Sequence, residues 1–181
     1  MEKNVTLVAL FAALIAVLGL VPQIMLGFGV PITAQSLGVM LCGTVLGAKR
    51  GGLAVLLFVV LVALGLPLLS GGRGGLGVFS APSAGFVIGF PFAAFVTGLV
   101  TEKLRSGNLA LVAGAAAVVG GVVVLYAFGI VGFSLIAKKT LAEATMVMGV
   151  FIPGDLIKAI IAGVLTAALY KARPASVLSR A

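Results

Sequence analysis

Asp155 and Lys158 stand three residues apart at the head of the last apolar stretch, in Pro153-Gly154-Asp155-Leu156-Ile157-Lys158. On a helix, that spacing projects both side chains from nearly the same face. A carboxylate accepts N–H bonds and an ammonium donates them, so the pair suits a small polar ligand carrying both kinds of group. A charge at mid-membrane costs roughly 2.5–3.5 kcal/mol on insertion scales, which argues for a use. The plainer reading is a helix cap with an intrahelical ion pair. Pro153 and Gly154 break the preceding segment, and the free N–H groups of a first turn favour a negative charge.

Other polar groups are scarce enough to count as candidates. Gln35, two residues after Thr33, offers amide donors and an acceptor, for a ligand or for a neighbouring helix. Tyr126 is one of two tyrosines and is followed by small residues that leave room against its ring. Its alternative is packing, whereas Tyr170 reads as an anchor at the membrane boundary. Arg73 is the basic residue of the run Ser70-Gly71-Gly72-Arg73-Gly74-Gly75-Leu76-Gly77. That run is too rich in glycine for a helix and too apolar for an ordinary solvated loop. Non-helical backbone at membrane depth persists only where protein or a wet cavity satisfies it, so Gly71, Gly72 and Arg73 are read as lining or capping a pocket, the plainer alternatives being a flexible connector and an Arg73 that lies in water.

Composition sets the class. The 181 residues are 62% hydrophobic and 9% charged, far from the roughly 25% charged share of soluble domains. This is an integral membrane protein. The net charge of +8 lies in short clusters between apolar runs, as in loops facing an anionic leaflet, and not as in a nucleic-acid groove. One cysteine, Cys42, and no histidine leave no disulfide framework, no Cys/His metal site and no His-based nucleophile. Glu2, Glu102 and Glu143 lie outside the long apolar runs, so a paired-carboxylate mechanism lacks its second member. No phosphate-cradling loop is present, so if the protein performs uphill transport the energy comes from a partner or an ion gradient.

A single membrane domain over 1–181 must position these groups. Six apolar runs approach the length needed to span, approximately 5–25, 32–48, 52–69, 84–101, 109–133 and 152–170. Pro31 is placed in a first turn, with Thr33 near the helix start. The first run is read as a helix and not as a cleaved leader. Ser134 to Gly149 is read as a short interfacial helix. With the N-terminus inside, the inner segments hold Lys3, Lys49, Arg50, Lys103, Arg105, Lys171, Arg173 and Arg180. The outer ones hold Arg73, Lys138 and Lys139. The bias places both termini in the cytoplasm, with Asp155 entering from the outer side. Ala9-x-x-x-Ala13 and Ala12-x-x-x-Ala16 give the first helix a face for close approach, to another helix of the chain or to a partner protein.

Several strings carry a resemblance. Pro31-Ile32-Thr33-Ala34-Gln35, Leu46-Gly47-Ala48-Lys49-Arg50-Gly51, Gly65-Leu66-Pro67 with its glycine loop, Tyr126-x-x-Gly129 and Phe151-Ile152-Pro153-Gly154-Asp155-Leu156-Ile157-Lys158 run through most of the chain. Together they resemble the BioY family, the biotin-binding S components of energy-coupling-factor (ECF) vitamin transporters. Ala81-Pro82-Ser83-Ala84-Gly85-Phe86 departs from the family's pattern, which is closer to G-P-T-G-G-Y there. The resemblance implies an all-α, six-helix membrane protein of a prokaryotic plasma membrane. It implies that biotin is bound near the outer surface with no cofactor, by a transport subunit and not an enzyme. Asp155 and Lys158 would be the polar contacts, completed by Tyr126, Gln35 and the Gly71–Gly75 loop with Arg73. Ala9, Ala12, Ala13 and Ala16 would dock a transmembrane coupling protein driven by two cytoplasmic ATPases. An S component for another vitamin, or a proton-coupled secondary transporter using Asp155, are the alternatives.

Overall fold

The alternation of apolar runs with glycine, proline and short basic clusters resolves into helices joined by tight corners. The computed structural model describes residues 2–180, with side chains from residue 4; Lys3, counted above among the inner cations, lies outside the described side chains. Helix α1 (Glu2–Leu18) leads into a two-residue antiparallel ladder, β1 (Ile24–Met25) with β2 (Pro31–Ile32). Then come α2 (Gln35–Leu46), α3 (Ala48–Ala63), the glycine loop with a 3₁₀ turn at Leu76–Ser80, and α4 (Ala84–Lys103). Helices α5 (Leu109–Val118) and α6 (Leu125–Ala137) are joined through a π-helical stretch, Val119–Val124, into one continuous rod. Helix α7 (Leu141–Gly149) and helix α8 (Ile152–Ala172) complete the bundle, followed by short 3₁₀ turns to Arg180.

Three of these helical rods are long and apolar enough to cross a membrane: Ala84–Lys103, Leu109–Ala137 and Ile152–Ala172. Each of the six expected runs contains a helix, but three helices have different ends. The first stops at Leu18, where Gly19 turns the chain and Pro22 follows. The apolar residues after it form the β1–β2 ladder, so Pro31 sits in a strand and not in a first turn, and α2 begins only at Gln35. A continuous apolar run does not distinguish a short buried strand from a helix. The third ends at Ala63, ahead of Gly65 at φ 106°. The segment expected as one interfacial helix over 134–149 is divided: α6 continues to Ala137, Lys138 takes a left-handed conformation, and α7 starts behind a reciprocal Thr140–Glu143 cap.

Small residues let the rods approach closely, as expected where lipid supplies no hydrophobic drive between helices. A side chain at Gly163 would meet the α5 backbone at Ala110 and Gly114, and Gly85 and Gly132 bring α4 onto α6 in the same way. The main core gathers Ile15, Val39, Val55, Phe58, Phe90 and Leu125 between α1, α2, α3, α4 and α6. A second cluster, with Val30, Tyr126, Phe133, Met148 and Phe151, seats the ladder and α7 over one end of the bundle.

Candidate ligand-binding site

Asp155 lies in the first turn of α8 with 7% of its surface exposed, where Phe151, a member of the second cluster, anchors the helix start. Its two oxygens are differently occupied. Oδ1 accepts from the Lys158 ammonium at 2.8 Å and from the Ser36 hydroxyl at 3.1 Å, while Oδ2 accepts from the Tyr126 hydroxyl at 2.7 Å. Lys158 donates in addition to the Thr33 carbonyl at 2.8 Å and to Ser36 Oγ at 2.9 Å. All three ammonium donors are engaged, and Ser36 links both charges by accepting from one and donating to the other. A buried charge pair is tolerable only when such extra hydrogen bonds satisfy its remaining groups.

Ser36, Asp155 and Lys158 of this network form one wall of a cavity of about 60 Å³, while Tyr126 stands behind Asp155 and is not among the lining residues. Val30, Pro31, Ile32 and Thr33 from the ladder and its exit also line the cavity. Phe86, Val87 and Phe90 from α4, Leu125 from α6 and Phe151 form apolar walls, with Phe86 edge-on to Tyr126 at 6.0 Å between ring centroids. Arg73 and Ser83 close the remaining side. One polar wall against aromatic and aliphatic walls is the usual make-up of a small-molecule site.

The glycine loop reaches this cavity through Leu69 and Arg73. Leu69 and Arg73 pair through both their backbone groups, at 3.0 and 3.2 Å, across the turn Ser70-Gly71-Gly72. That turn requires positive φ at Gly71 (79°) and Gly72 (70°), a conformation that only glycine adopts without strain. Arg73 donates to the Ser70 carbonyl at 3.2 Å and to Ser83 Oγ at 3.1 Å, leaving further N–H groups on its fork.

The expected site residues therefore divide. Asp155, Lys158 and Tyr126 converge on one network, and Arg73 lines the same cavity. Gly71 and Gly72 shape the turn and are not among the lining residues. Gln35 touches the cavity but spends its amide elsewhere: Nε2 donates to the Ile15 and Leu68 carbonyls, and Oε1 accepts from Ser70 N–H at 3.0 Å. It ties α1, α2 and the loop together. Of the small-residue face on α1, Ala9 and Ala13 are exposed, Ala16 is half-buried and Ala12 is packed into the core.

Ser36, the Thr33 carbonyl and the three phenylalanines Phe86, Phe90 and Phe151 were not anticipated. Ser36 follows Gln35 with no distinguishing spacing of its own. Its only signal was its place beside Thr33 and Gln35 at the head of a short helix. A backbone carbonyl carries no sequence signal at all.

The family model described as "BioY family" matches residues 2–175. This chain belongs to the BioY family. Among its relatives, the biotin transporter BioY of Rhodobacter capsulatus is 56% identical over 99% of this chain and 100% of that protein. The biotin transporter BioY of Rhizobium etli is 52% identical over 95% of each chain. A crystal structure of the S-component for biotin from an ECF-type ABC transporter superposes with a TM-score of 0.89 at 35% identity. It covers 94% of this chain and 92% of that one. The BioY-type strings around Thr33 to Gln35 and around Pro153 to Lys158, far apart in sequence, are the two segments joined by the Lys158–Thr33 and Ser36–Asp155 bonds.

Proposed function

We propose that this chain is the biotin-binding S component of an ATP-driven ECF importer, capturing biotin at the outer face of a prokaryotic plasma membrane. The observation that carries the reading is the buried Asp155–Lys158–Ser36–Tyr126 network facing an aromatic-walled cavity, in a chain 56% identical to a biotin transporter. It is a transport subunit: ligand capture is its task, and ATP hydrolysis belongs to partner proteins.

Biotin presents a ureido ring with N–H donors and a carbonyl acceptor, an apolar ring system and chain, and a carboxylate. Asp155 is an acceptor and repels a carboxylate, so it takes the ureido N–H groups. Lys158 meets the ureido carbonyl by giving up its bond to the Thr33 carbonyl, the one of its three donors spent outside the Asp155–Ser36 cluster. Phe86, Phe90 and Phe151 enclose the apolar part. The acid end then points to Arg73, the other cation of the lining, whose remaining N–H groups fit a carboxylate. Gln35, Gly71 and Gly72 serve by holding the loop that presents Arg73.

Six membrane-embedded helices with both termini in the cytoplasm account for the cation bias of the loops. The exposed Ala9 and Ala13 on α1 offer a close-approach face to a transmembrane coupling protein, itself driven by two ATPases. Isothermal titration of biotin into the detergent-purified protein tests the reading. The expected result is tight, one-to-one binding that collapses in Asp155→Asn. No binding at micromolar biotin by the unmodified protein overturns it.

A further inference from the structure

At the end of α2 remote from Asp155, a second cleft of about 380 Å³ opens between the α2–α3 corner and α4. We propose that it binds an anionic phospholipid, with the headgroup phosphate on Lys49 and Arg50 and an acyl chain along Leu99 and Phe95. The proposal rests on the chain being embedded in a membrane, and not on which ligand fills the cavity at Asp155.

The geometry comes from the corner itself. Gly47, at φ 84°, is the only residue between α2 and α3, so the first turn of α3 is pinned beside the end of α4. Glu102 fixes the level: its Oε1 accepts the Ala48 N–H at 2.9 Å. Lys49 and Arg50 follow immediately, one exposed and one half-buried, and neither has a hydrogen bond or an ion pair among the described residues. Glu102 is the one negative group of the lining and is turned toward the helix start, leaving an excess of positive charge at the rim. From that level Leu99 and Phe95 lie about one and two turns deeper along α4, at ~1.5 Å per residue. Phe95 is 42% exposed. A cationic rim at the height of the helix ends, continuous with an apolar wall running into the bilayer, matches a diacyl phosphate in shape and charge. Basic clefts between membrane helices are known settings for anionic headgroups.

Native mass spectrometry of the full-length, detergent-purified protein, titrated separately with phosphatidylglycerol, phosphatidylcholine and inorganic phosphate, tests this. One phosphatidylglycerol is expected to bind saturably, with phosphatidylcholine far weaker and free phosphate not retained. Lys49→Gln/Arg50→Gln is expected to weaken phosphatidylglycerol binding roughly 30-fold, from about one surface-charge contribution per cation. Lys171→Gln/Arg173→Gln removes the same charge from exposed positions outside the cleft and is expected to change binding less than about threefold. Unchanged melting and elution of both double variants confirm folding. Equal losses in the two variants, or equal binding of both lipids, overturn the proposal. It also fails if Lys49→Gln/Arg50→Gln keeps its lipid but no longer co-purifies with ATPase partners, since the cleft is then a protein contact.

Discussion

Helices α2 and α8 meet through buried side chains at both ends, around Asp155 and around Thr44, and the two meetings are built from different chemistry. At the first, a carboxylate and an ammonium share Ser36 and face a cavity. At the second, Thr166 donates to Thr44 Oγ1 at 2.8 Å, Ser179 donates to the Thr44 carbonyl at 2.5 Å, and no charge takes part. The C-terminal turns close that end: Val177 and Ser179 are fully buried, and Val177 belongs to the main core. Nearby, Thr101 bonds back to the Thr97 carbonyl on its own helix, an arrangement that needs no partner helix.

The contrast teaches where a membrane bundle can hold charge. Hydroxyls bonded across helices within membranes are worth on average ~0.6 kcal/mol, enough to fasten two rods and too little to specify a ligand. Hydrogen bonds to charged groups contribute about 1.5–3 kcal/mol, but each charge left unpaired costs more than a bond returns. The charged junction therefore carries its own complement of partners from three elements: the ladder exit, α2 and α6. The neutral junction needs only its two hydroxyl bonds and packing.

The largest effect is expected at the charged end. Asp155→Ala should weaken biotin binding roughly 10- to 1,000-fold by titration calorimetry, since it removes an acceptor and strands Lys158. A sharper form of the same experiment is the double variant Asp155→Ala/Lys158→Ala. It should melt at a higher temperature than Asp155→Ala alone, because removing both charges leaves none unpaired; a lower melting temperature breaks the account of the pair. Ser36→Ala loses one hydrogen bond to each charge and should cost roughly tenfold in affinity. Tyr126→Phe keeps the ring beside Phe86 and loses only the bond to Oδ2, so a several-fold loss, about three to ten, is expected. Smallest of all, Thr166→Val at the neutral end should leave biotin affinity within about twofold and lower stability by ~0.6 kcal/mol. An affinity loss there as large as that of Ser36→Ala would erase the distinction between the two ends.

Much of this was legible in the residues. The share of charged residues, the length of the apolar runs and the rarity of acids within them determine a helical membrane protein, because lipid admits only helices and closed barrels, and continuous apolar runs of this length do not fit a barrel's alternating strands of about 10 residues. The spacing of Asp155 and Lys158 determines their 2.8 Å contact, since residues three apart share a helix face. What the tertiary structure decided is everything that joins distant segments. Only packing brings Ser36 and Thr33 to α8, diverts the Gln35 amide to hold the glycine loop, and turns Ala12 into the core while Ala9 and Ala13 face outward. Only pairing with Ile24–Met25 makes Pro31–Ile32 a strand where an apolar run reads equally well as helix. A local pattern sets which way a side chain leaves its own helix; which backbone it then meets depends on how the other helices cross it.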